Sequence, residues 1–120
     1  MPVTFEGLPI YVEATCDSAF KTAAELSRLL GAKVTPLSSE NRKYLHLAAV
    51  FACNFANHCY ALAAEVMEQA GLPFEDLLPL INQTTAKLSK MHPADGQTGP
   101  AVRDDKVVMQ KQKFFVLKMK

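Results

Sequence analysis

The chain has 120 residues, 49% hydrophobic and 21% charged, which suits one folded domain with a modest core rather than a disordered chain. It is too short for a nucleotide-binding domain plus a substrate domain, and a net charge of +1 gives no electrostatic reason for a nucleic-acid or anionic-membrane partner. Cys16, Cys53 and Cys59 contain no CxxC pair and read as free, buried thiols of a cytoplasmic protein. The first residues, MPVTFEGLPI, lack the segments of a secretion signal.

Leu8 to Ala14 predicts a short strand rich in Ile, Val and Tyr. A helix follows, with Asp17 as its N-cap, Phe20, Ala23, Ala24, Ser27 and Leu30 at helical spacing, and Gly31 as its left-handed stop. Ala32 to Pro36 predicts a second strand, so residues 8–36 form a βαβ unit with parallel strands. Two parallel strands leave both outer edges unpaired, so the unit needs neighbours. The one other strand candidate is Lys113 to Met119, and the last ten residues, KQKFFVLKMK, take no firm assignment.

Ser38 or Ser39 caps the longest predicted element, a helix reaching about Gln69 and ended by Gly71-Leu72-Pro73. From Tyr44 to Ala64 it has no Asp, Glu, Lys or Arg. His46, Asn54, Asn57 and His58 interrupt the run and argue against a membrane span. The pattern predicts a helix buried on nearly all sides, and 120 residues cannot surround it, so a second subunit is expected to complete a symmetric homodimer. Pro73 opens a further helix with Phe74, Leu77, Leu78, Ile81, Thr85 and Leu88 on one face, a kink or restart at Pro79, and an end at His92-Pro93. After the loop 94–99, Pro100 suits the first position of a final helix capped near Thr98 or Gly99.

No complete catalytic signature is present, and a glycine-rich turn after a strand is missing. With His46 as zero and about 100° per residue, Asn54 falls at about 80° and Asn57 at about 20°, one polar stripe on an apolar helix. The stripe suits either the wall of a ligand pocket or a set of mutually satisfied polar groups. QTGPAVRDD, residues 97–105, joins a hydroxyl, a glycine and an expected helix start to Arg103, which suits a carboxylate or phosphate or else an ordinary capped helix. His46, Cys53 and His58 do not match a zinc spacing, so no metal is expected.

The stretch from SSENRKYLHLAAVFACNFANHCYALAAEVMEQAGLPFEDLLPLI to TGPAVRDD closely resembles the helical domain known as domain of unknown function 2520. That domain lies C-terminal to a Rossmann domain in NADP-oxidoreductase-like proteins. They are similar in layout to pyrroline-5-carboxylate reductases and the 6-phosphogluconate dehydrogenase superfamily. The resemblance covers about Pro9 to Val108. It implies a mostly α fold: a 6-phosphogluconate-dehydrogenase-like C-terminal helical domain, residues 38–120, preceded by a βαβ remnant of a Rossmann sheet, residues 1–37.

It also implies that the helical domain dimerises and closes the substrate cleft. His46, Asn54, Thr98, Gly99 and Arg103 are then the candidate substrate-binding residues, with Pro100 beside them and a small anionic substrate; Asn57 joins them from the polar stripe. NADP belongs to the intact family protein, and none is expected on this chain alone, because the glycine-rich N-terminal Rossmann half is missing. No catalytic residue is assigned. The resulting expectation is the substrate and dimerisation part of an NADP-dependent oxidoreductase, inactive alone. The rivals are a non-catalytic homodimerisation module and a small-ligand-binding module.

Overall fold

The computed structural model describes residues 4–119, which form a mostly helical chain with a two-stranded parallel sheet at its N-terminal end. The elements are β1 (Pro9–Val12), α1 (Asp17–Leu29), β2 (Lys33–Pro36), α2 (Ser39–Ala49), a π-helical turn (Val50–Phe55) and α3 (Ala56–Gln69). A 3-10 turn (Phe74–Leu77), α4 (Leu78–Ala86), a second 3-10 turn (Lys87–Ser89) and α5 (Lys106–Lys118) follow. Two compact units divide the chain, Met1–Leu62 and Ala63–Lys120.

In the first unit β1 and β2 pair in parallel, with Pro9 opposite Lys33 and Val12 opposite Pro36. Helix α1 packs on this pair, and Val12, Ala24, Ser27 and Ala32 are its buried residues. Small side chains let the helix lie close to the strands, and Ser27 satisfies its hydroxyl on the Ala23 carbonyl at 2.8 Å. Gly31, at φ +77°, ends α1: its N–H donates to Arg28 O, and Ala32 N–H donates to Ser27 O. That is the Schellman pattern, which satisfies two terminal carbonyls and needs a left-handed residue. Gly71 repeats it at the end of α3, at φ +67°.

The strands are shorter than the sequence pattern suggests. Cys16, not Asp17, is the N-cap of α1, and Asp17 occupies the first turn, where an acid suits the helix dipole. Ser38 caps α2 by accepting the Asn41 N–H at 3.2 Å. The helical stretch then continues for 31 residues, Ser39–Gln69, and is long and apolar enough to cross a membrane by length and composition. No residue of its apolar window is buried by the rest of the chain. Cys16, Cys53 and Cys59 are all exposed, not core thiols. For Cys53 and Cys59 the reason is that the elements present supply too little surface to cover a helix of this length, whereas Cys16 sits at the N-cap of α1.

In the second unit the chain restarts at Pro79, which lies in the first turn of α4, where its missing N–H costs no helical bond. Phe74, Leu77 and Ile81 are half-buried. The last helix does not begin at Pro100. Residues 100–104 form turns, Asp104 takes a left-handed φ of +50°, and Asp105 caps α5 by accepting the Val108 N–H at 3.1 Å. The carboxylate beside a free N–H outcompetes the proline start because it satisfies an orphan donor. Lys113 to Met119, a strand candidate by pattern, belongs mostly to α5, where the Lys118 ammonium sits 4.7 Å from the Phe114 ring centre.

Candidate functional site

The best-defined polar site in the first unit lies at the carboxyl end of β1, and sequence reasoning missed it. Ser39 N–H donates to Glu13 Oε1 at 2.7 Å, and Ser39 Oγ–H donates to Glu13 Oε2 at 2.7 Å. The Arg42 guanidinium stands 3.7 Å from the same carboxylate. Hydrogen bonds from the Ser39 hydroxyl and N–H, with Arg42 as the smaller influence, hold the Glu13 carboxyl below the usual glutamate value. Glu13 thus places an intramolecular anion on the N-terminus of α2, where a free helix start would attract a phosphate or carboxylate. Only Glu13's sequence distance from Ser39 hid this, because the βαβ crossover brings the two together.

The link from β1 to α1 holds Glu13, Ala14, Thr15 and Cys16, and no glycine. The Cys16 thiol lies 3.3 Å from the Ser18 hydroxyl. That contact, then the backbone N–H of Ala19, lowers the thiol below its ordinary value without closing a capping bond. A dinucleotide pyrophosphate needs bare backbone N–H groups and the close approach that glycine permits. Here the first link has no glycine, and the Glu13 carboxylate fills the start of α2. The two βα links therefore do not fit an NADP phosphate cradle.

His46 lies in α2, Asn54 inside the π turn and Asn57 in the first turn of α3, and all three are exposed. A π turn takes in roughly one residue more than an α turn, so residues beyond it swing back by about 100°. The stripe drawn with uniform helical spacing is therefore broken, and Asn57 leaves the His46 face. Phe51 and Phe55 bracket the turn edge to face, with ring centres 5.0 Å apart. The sequence carried no signal for the π turn beyond the small residues Ala52 and Cys53 between these rings.

Thr98 and Arg103 are exposed, and Gly99 is half-buried at φ +104°. Arg103 precedes the start of α5 at Lys106, so the expected pairing of a guanidinium with a helix start just before it is corrected. Thr98 instead belongs to a cleft of about 310 Å³ in the second unit, lined also by Lys87 and His92, which the sequence reading left out.

The model of the family called domain of unknown function 2520 matches residues 8–117, nearly the whole chain. The chain belongs to the DUF2520 family. A solved structure described as a putative NADP oxidoreductase from Bacteroides fragilis is 42% identical, with a TM-score of 0.86. The match covers 93% of this chain and 43% of that one, so the chain spans less than half the length of that relative. Among curated proteins no relative was found. Within DUF2520 the matched region includes every candidate residue named above, the βαβ unit and the QTGPAVRDD loop.

Proposed function

We propose that this chain is the C-terminal, substrate-side part of an NADP-dependent oxidoreductase, working with a glycine-rich nucleotide-binding half that it does not itself contain. The observation that carries the reading is the 42% identical match to 43% of a structure described as a putative NADP oxidoreductase, joined to two βα links that do not fit a pyrophosphate. In this reading the nicotinamide group, held by the other half, supplies the redox chemistry. This chain supplies substrate contacts, with His46 and Asn54 as the candidates in the first unit and, separately, Thr98, Gly99 and Arg103 in the second. Its free cysteines suit the cytoplasm. The test joins the chain to the part of the Bacteroides fragilis relative that the match leaves uncovered and titrates the product with NADPH by fluorescence. Saturable binding, with NADPH oxidised by some member of a carbonyl and imine panel, is expected. A folded joined protein that binds no dinucleotide refutes the proposal.

A second reading is favoured by one observation. Tyr44, Leu47, Phe51 and Phe55 on the long helix are 70%, 54%, 60% and 51% exposed. Apolar side chains in such a row suit self-association, and a homodimer would cover them. Light scattering should give a dimer whose mass falls to the monomer in Phe51→Glu. A wild-type monomer at high concentration would sink the dimer.

A further inference from the structure

We infer that the cleft at the end of α4 is a binding site for a small organic carboxylate. The inference deepens the proposed function, on which it rests for the carboxylate's role as a substrate. The cleft, of about 310 Å³, is formed where the loop 91–98 turns back on the last turns of the helix. That volume lies at the lower end for small-molecule sites, about 300 Å³. Leu88 and Met91 line it with apolar groups, while Lys87, His92, Gln97 and Thr98 bring polar groups to it.

Each of these polar groups can donate a hydrogen bond. His92 Nδ1 accepts the Ala94 N–H at 3.2 Å, which leaves the proton of the neutral ring on Nε2 as a donor. Among the described residues no intrachain hydrogen bond engages Lys87 Nζ, the Gln97 amide or the Thr98 hydroxyl. Two carbonyls near the cleft are already used: Lys87 O accepts from Lys90 and Met91, and His92 O accepts from Asp95 and Gly96. Residues 84–98 carry Lys87 and Lys90 against the single acid Asp95. One ammonium, neutral donors and apolar lining groups match a monovalent carboxylate with a short hydrocarbon body. A phosphate dianion would call for a denser set of cations.

The test is an NMR titration of the ¹⁵N-labelled full chain with sodium butyrate, butyramide and inorganic phosphate. Butyrate should shift the amide signals of Lys87, His92 and Thr98 to saturation, and butyramide should not. Lys87→Met, at an exposed position, should weaken butyrate roughly tenfold, Thr98→Val should weaken it less, and Lys21→Met in α1 should leave it unchanged. No saturation, equal shifts from butyramide, phosphate binding as tight as butyrate, or wild-type affinity in both cleft variants would each overturn the proposal. No dinucleotide enters this titration, so its failure is separate from a failure of the joined protein to bind NADPH.

Discussion

The carboxylate of Glu13, at the end of β1, grips Ser39, at the start of α2, through both the backbone N–H and the hydroxyl, each at 2.7 Å. The tie spans 26 residues and fixes where the long helix leaves the βαβ unit. Because these bonds favour the ionised carboxylate, the folded chain releases the Glu13 proton at lower pH than the unfolded chain. The tie's contribution to stability is complete above the ordinary glutamate value of 4.5 and is lost as pH falls through the lowered folded value. Melting temperatures from pH 7 to pH 2 should show wild type above Glu13→Gln at neutral pH, the two converging in acid. Parallel curves would show that the tie adds nothing.

Cys16 is exposed and its thiol is favoured as thiolate, first by the Ser18 hydroxyl and then by the Ala19 N–H. Its alkylation rate by iodoacetamide should therefore rise at a lower pH than an ordinary thiol's. In Ser18→Ala that midpoint should move up toward the ordinary value. An unchanged midpoint, read by mass spectrometry of the Cys16 peptide, would remove Ser18 as the cause.

Gly31 and Gly71 share a left-handed backbone but differ in their surroundings. A Cβ at Gly31 would lie 3.3 Å from the Glu6 Cα, whereas one at Gly71 meets nothing within 4 Å. Gly71→Ala should cost about 1 kcal/mol from backbone strain alone, and Gly31→Ala about 2 kcal/mol or more, since the Glu6 backbone must also shift. Urea midpoints of the two variants check the order.

Asp105 holds the first turn of α5 through the Val108 N–H. Asp105→Ala should cost about 1 kcal/mol and fray that turn. Faster hydrogen exchange at Val108 would be the sign, with exchange in α1 unchanged. Equal exchange at Val108 would mean that solvent caps the helix as well.

Local chemistry made much of this protein legible from the sequence. Gly31 and Gly71 mark helix ends because left-handed backbone is cheap only there, and Ser38 marks a helix start because its hydroxyl reaches a free N–H. The parallel βαβ pairing follows from short links around one helix. The motif string from residue 38 to residue 105 carried the family, because it records which side chains occur in what order.

Tertiary structure decided what depends on residues far apart or on competition between neighbours. Glu13 meets Ser39 only after the crossover folds. The π turn at Val50–Phe55 breaks the stripe of His46, Asn54 and Asn57, since a uniform wheel cannot register an inserted residue. Asp105 wins the helix start from Pro100 because a carboxylate satisfies the N–H that a proline leaves untouched. The cleft joins Lys87 and His92 to Thr98 because the loop returns onto α4, and no spacing rule records a return. Composition set how much apolar surface the long helix has, but burial is a property of neighbours, and the described chain leaves that surface uncovered.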